Sequence, residues 1–187
     1  MLELIIGATA GAGLTYFYLK HSSAKRRKTF EHLDVKNTDN QIRFIENARL
    51  QSYNPIKKMA SKVFSAIEGY LPKRTKRYRL LAEVSMGAFI KTDRSSGNQK
   101  QQGRVYSSYG SKRVEFLIID ALGKPAVAIE YHGGETRYRN NGVARDAIKK
   151  RVLQKAGIEL LEVHRETEKD DYLLTLSRIL DRHENLS

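Results

Sequence analysis

Three ionisable side chains in this 187-residue chain have the types and spacing of a hydrolytic centre. Glu130 and His132 end the alternating apolar run "PAVAIEYHG", and Glu115 opens the preceding run "VEFLIID". Between them lies "ALGK", a tight glycine-containing turn, so the two runs read as a hairpin. With Leu122 and Gly123 at the centre of the turn, Glu115 falls opposite Glu130 and Asp120 opposite Pro125. Directly opposed residues share a face with side chains about 5 Å apart, and period-two alternation adds His132 to that face. A one-residue slip would send Glu115 to the other face. Two carboxylates this close repel unless positive charge stands between them. A hard divalent cation such as magnesium is held by one or two carboxylates. It polarises a phosphate and activates a water for phosphodiester hydrolysis. Glu115 and Glu130 are therefore candidate metal ligands for Mg (or Mn), and Glu115, Glu130 and His132 are the candidate catalytic residues. The competing reading is a solvated acid pair at a hairpin end.

Other elements must hold that hairpin in place. Asn54-Pro55 reads as a helix start, with Asn as cap and Pro in the first turn. Ile56, Met59, Val63, Ile67 and Leu71 continue it at three- and four-residue spacing. "YRLLAEVSMGAFI" predicts a strand with Tyr78, Leu80, Ala82, Val84 and Met86 on one face. "TDRSSGNQKQQGRVYSSYGSK" reads as a long polar loop. After the hairpin, "GVARDAIKKRVLQKAGI" predicts a helix with Val143, Ala147, Ile148, Val152 and Ala156 turned inward and Gly157 at its end. "IELLEVH" is a further strand, and a last helix starts at Asp170 or Asp171 and carries Leu173, Leu176, Ile179 and Leu180. A strand–helix–strand crossover implies a parallel pair, so the expected class is α/β around a mixed sheet.

The chain has no cysteine, which excludes disulfides and thiolate metal sites. Its net charge is +13, and the stretch from Lys20 to Leu80 alone carries 16 Lys and Arg against 5 Asp and Glu, a net +11. Such a block suits anionic partners, either nucleic acid or acidic lipid. "MLELIIGATAGAGLTYFYLK" is apolar from Leu4 to Leu19, and "KHSSAKRRK" follows it. At about 1.5 Å per residue this run reaches roughly 24 Å, slightly short of a ~30 Å hydrocarbon core. Basic residues after the apolar run, with none before it, predict an uncleaved anchor whose C-terminal side is cytoplasmic. The expected organisation is a transmembrane anchor over residues 1–19, a basic juxtamembrane linker over 20–53 and an α/β domain over 54–187. Residues 1–28 would contact inner-membrane lipid, in a single-pass protein with its soluble part in the cytoplasm.

The succession "VEFLII", turn, "AVAIEYHG", "ARDAIKKRVLQKAGI" and "IELLEV" resembles the PD-(D/E)XK nuclease superfamily. The likeness covers about residues 56–165. It is strongest to small bacterial domains of unknown function related to very-short-patch-repair endonucleases. The resemblance implies a restriction-endonuclease-like mixed-sheet core with flanking helices. It puts Glu115 at the first metal-binding acid, Glu130 at the second and His132 at the lysine, with Glu68 loosely aligned to a helix acid. Glu for Asp at 115 and His for lysine at 132 depart from that pattern. The basic helix face with Arg145 and Lys149, together with Lys76 and Arg77 of "KRTKRYR", would hold nucleic-acid phosphates. The expected function is metal-dependent cleavage of DNA or RNA at a membrane. The alternatives are an inactive nuclease fold that binds nucleic acid and a tethered protein-interaction module.

Overall fold

The protein is described by a computed structural model that covers residues 15–22, 32–133 and 142–186. The chain divides into two compact units, Met1–Tyr53 and Asn54–Ser187. In the first, the described part of helix α1 is residues 15–22. Helix α2, Thr38–Glu46, follows, and its first turn is capped by the Asn37 side chain, which accepts from the N–H groups of Asp39 and Asn40.

Among the described residues no helix is long and apolar enough to cross a membrane. This corrects the expected fold class, in which one transmembrane helix precedes the core, and the expected single-pass inner-membrane location. A run of 16 apolar residues is shorter than the roughly 20 that a spanning helix needs. Residues 1–14 of the expected anchor, and 23–28 of the expected lipid contact, lie outside the described residues.

The second unit is mixed α/β around a four-stranded sheet, which replaces the expected restriction-endonuclease-like class. The strands are β1 (Tyr78–Ser85), β2 (Arg113–Asp120), β3 (Pro125–His132) and β4 (Glu159–His164), lying side by side in that order. The β1–β2 and β2–β3 pairs are antiparallel and β3–β4 is parallel. Helix α3, Ser61–Tyr70, precedes β1, and α4 (Met86–Phe89) and α5 (Gln99–Tyr109) lie between β1 and β2. Helix α6, Gly142–Lys155, joins β3 to β4, and α7, Lys169–Leu186, ends the unit.

Strand alternation divides the core. Phe116, Ile118, Val127, Ile129, Leu161 and Val163 pack with α3 and α7. Leu117 and Ala128 point the other way, against Met86 of α4, Tyr109 of α5 and Leu153 of α6. The sheet thus has helices on both faces, the arrangement that buries two apolar faces at once.

Several local expectations are corrected. The helix does not begin at Asn54: that side chain accepts from the Ile56 N–H, closing a turn, and α3 starts at Ser61. The polar stretch read as a loop contains α5, whose start is a reciprocal capping box between Asn98 and Gln101. The β2–β3 turn holds a bulge. Ile119, not Asp120, pairs with Pro125, and the register shifts before Ile118 pairs with Val127. Asp120 instead accepts from the N–H groups of Leu122 and Lys124, while Gly123 supplies the left-handed φ of 84° that the turn requires.

At the turn end of the sheet, Arg74 ties α7 to the segment before β1. Its guanidinium donates to Asp181 at 2.5 Å, Glu184 at 2.8 Å and Ser177 at 3.2 Å. Arg74→Ala is therefore expected to cost about 2 kcal/mol. It should appear as a lower urea midpoint with an unchanged m-value, while Lys73→Ala in the same short turn has little effect.

Candidate functional site

At the opposite end of the sheet from that turn, the strands bring acids together. Phe116 pairs with Ile129, and the same register carries Glu115 level with Glu130. Glu115 Oε2 accepts from the Tyr131 N–H at 3.0 Å. Its Oε1 accepts from Lys57 Nζ at 2.9 Å. That hydrogen bond raises the Lys57 pKa above its ordinary value.

Glu130 is only 7% exposed. Its counter-charge comes from α6: Lys149 Nζ lies 2.7 Å from Glu130 Oε1, with Asp146 3.6 Å from the same nitrogen. The Glu130–Lys149 contact is an ion pair without the alignment of a good hydrogen bond. Burial pushes the Glu130 carboxyl up to about 7. Lys149 opposes that shift, and the negative charges of Glu115 and Asp146 add to it.

A third acid belongs here that sequence reading missed. Glu83 on β1 stands level with Glu115, since β1 and β2 keep one register on both sides of it. It is the non-glycine residue with positive φ, 52°, among the described residues, a conformation that stores strain and clusters at functional sites. Ala82 and Phe116 lie in the α3–α7 core, whereas Val84 and Val114 lie in the other. Alternation therefore breaks at Glu83 and Glu115. Register arithmetic found Glu115 and Glu130 because a short turn joins their strands. No short turn joins β1 to β2, so Glu83 had no comparable signal.

Glu83, Glu115 and Glu130 line one polar pocket of 500 Å³ with Lys57, Lys149 and Arg145. Of the residues expected to bind nucleic acid, Arg145 reaches this pocket, and Lys149 is consumed in the ion pair. Lys76 and Arg77 do not reach it. They precede Tyr78, which pairs with Asp120 beside the turn, roughly 16 Å along the strands from Glu115 at about 3.3 Å per residue. Lys76 Nζ donates to the Glu184 carbonyl there.

His132 also lies outside the pocket lining. Glu162, level with Glu130 on β4, engages His132 Nε2 at 3.3 Å, and the His164 ring packs at 5.0 Å. Lys150 binds Glu162 at 2.9 Å and holds that carboxyl below its ordinary pKa, aided by His132. Glu68 lies on α3, also outside the lining.

The helix face is corrected as well. Val143 and Ile148, expected inward, are 70% and 38% exposed. Asp146, Lys149 and Leu153 form the stripe turned toward the sheet, because the buried Glu130 requires a cation above it.

Among the described residues, no group of three or more His, Asp or Glu side chains converges closely enough to hold a metal ion. Glu115 and Glu130 alone still meet magnesium's modest demand of one or two carboxylates with retained water. The pocket has room for that water, so the residues present fit such an ion.

Residues 56–177 match the family described as "Protein of unknown function (DUF2726)", and the chain belongs to it. An "Uncharacterized protein" of Haemophilus influenzae (strain ATCC 51907 / DSM 11121 / KW20 / Rd) is 29% identical over 134 residues, which are 72% of this chain and 66% of that one. The "Uncharacterized protein y4bI" of Sinorhizobium fredii (strain NBRC 101917 / NGR234) is 31% identical over 86 residues, 46% of this chain and 56% of that one. The chain therefore spans two thirds or less of the length of these two relatives. No solved structure matches the chain.

The Glu130 environment predicts a pH signature. Its carboxyl titrates from 4.5 unfolded to about 7 folded, a shift worth about 3 kcal/mol. The folded state holds the proton more tightly, so this contribution is fully present below pH 4.5 and is lost as pH rises through 7. Glu130→Gln removes the dependence. Its stability relative to wild type, from urea unfolding, should rise by about 2–3 kcal/mol between about pH 5 and 8.

Proposed function

We propose that the pocket of Glu83, Glu115 and Glu130 is a phosphodiester-hydrolysing site acting on DNA or RNA, as the resemblance to PD-(D/E)XK nucleases implies. One observation carries this reading. Two carboxylates on adjacent strands, Glu115 and Glu130, line one polar pocket with the ammonium of Lys149, which lies 2.7 Å from Glu130.

Each residue has a role that follows from its place. Glu115 and Glu130 would hold a divalent cation, Mg or Mn, which when bound supplies charge against the phosphate and a water of lowered pKa. Lys149 occupies the role that the family pattern gives to the strand position of His132. From α6 its ammonium reaches the same carboxylate and would add fixed positive charge beside a bound phosphate. Arg145, which also lines the pocket, would hold a neighbouring phosphate without reading bases. His132, bonded to Glu162, acts on the position of β4 and not on the reacting atoms.

A second reading, nucleic-acid binding without chemistry, draws on a different observation. Lys57 and Lys149 already neutralise both carboxylates at 2.9 and 2.7 Å.

The test uses the full chain with labelled single- and double-stranded DNA and RNA, with magnesium or manganese and with chelator. Cleavage should require the metal. Glu130→Gln should lower it by about three orders of magnitude and Lys149→Met by at least about 100-fold, whereas His132→Ala should cost less than about tenfold. Metal-independent cleavage that survives Glu130→Gln would move the chemistry elsewhere. Binding without cleavage would select the second reading.

A further inference from the structure

A second pocket, of 620 Å³, opens at the same end of the sheet but on the α3–α7 side. Its rim carries Lys62, Arg165 and Lys169, and among the described residues no carboxylate lines it. None of these three cations forms an ion pair with a described residue, in contrast to Lys57, Lys149 and Lys150. Its walls are apolar and aromatic, from Met59, Tyr131 and Tyr172. Cations with no ion-pair partner among the described residues, beside an apolar wall, match a ligand with an anionic end and a flat apolar body. A pocket of this size falls in the range that encloses a small ligand.

The two pockets share one residue. Tyr131 donates its N–H to Glu115 in the acidic pocket, while its ring walls the second one. The ring lies so close to Gly133 that a Cβ there would collide with it, so the glycine leaves the room the ring occupies. A strand whose phosphate sits at Glu115 and Glu130 therefore has its next binding surface within one residue of the site.

We infer that this second pocket is a nucleotide subsite, which seats one base of a single nucleic-acid strand against Tyr131 and its phosphate against Lys62, Arg165 and Lys169. The inference rests on reading the acidic pocket as a nucleic-acid hydrolase site and names where the strand continues. Base–aromatic stacking is sequence-tolerant, and phosphate contacts carry no sequence information. The subsite thus confers preference for unpaired strands and not for sequence.

Binding of a labelled short single-stranded oligonucleotide to the full chain tests this, by fluorescence anisotropy across a salt series and with chelator present. Lys62, Arg165 and Lys169 are exposed, so the triple alanine variant leaves both cores intact. It should bind the strand at least about tenfold more weakly, with a log–log salt slope shallower by roughly 0.7, the value for one phosphate contact on a single strand. Tyr131→Leu should weaken binding at least about fivefold with little change in slope. Unchanged affinity and slope in the triple variant would overturn the inference, as would wild type that binds no strand. Thymidine 5′-monophosphate bound as tightly as the strand would overturn it too, making this a pocket for free nucleotides. The acidic-site reading fails separately: weakened binding in the triple variant, with cleavage indifferent to Glu130→Gln, keeps the subsite and discards the site.

Discussion

The buried ion pair between Glu130 and Lys149 is the constraint around which the second unit is arranged. A carboxylate that is nine-tenths buried has a large desolvation cost, and attraction to one cation offsets it only with good geometry. Here the offset is incomplete, as the carboxyl's rise to about 7 records. The pair nevertheless fixes α6. Lys149 must stand over β3, so the helix turns Asp146, Lys149 and Leu153 to the sheet and leaves Val143 and Ile148 on its outer side.

That choice separates the two ends of the sheet by chemistry. The end near the β2–β3 turn is fastened by Arg74, whose partners Asp181 and Glu184 come from the end of α7. The other end holds Glu83, Glu115, Glu130 and Glu162, each facing a lysine or histidine across a short gap or lining the same pocket. Acids gathered on neighbouring strands repel, and the positive φ at Glu83 adds strain to that repulsion. Structure and charge both oppose folding at this end. A stable core at α3, α7 and the sheet centre has to support it.

What was legible in the sequence follows from which interactions are local. The β2–β3 register near Glu115 and Glu130 was readable because a four-residue turn ties the strands and period-two alternation does the rest. The bulge beside Asp120 was not, since it depends on that side chain bonding two N–H groups of its own turn. Glu83, and the pairing of Lys149 with Glu130, lay out of reach for a different reason. One is placed by a long-range strand pairing, the other by a buried charge that overrides apolar periodicity. Helix α5 was hidden by its composition, because its polar surface resembles a loop until the Asn98–Gln101 cap is recognised. Lys76 and Arg77 looked suited to phosphate binding from charge alone, and only topology sends them to the far end.

The two lysines at the site are not equivalent, and this bears on how an acid pair can serve chemistry. The Lys57 side chain is 70% exposed and that of Lys149 11%. Lys57 can leave Glu115 and regain full hydration at little cost, because exposed ion pairs contribute at most about 1 kcal/mol. Lys149 cannot leave Glu130 without stranding one buried charge or the other, a loss of several kcal/mol. On the proposed reading, an incoming cation would therefore displace Lys57 from Glu115, while Glu130 keeps its ammonium on Oε1 and would offer its other oxygen. A site built this way holds a fixed positive charge beside one exchangeable position, and its electrostatics are set before any ligand arrives. On the proposed reading, this preorganisation is what would separate a reactive acid pair from a solvated one.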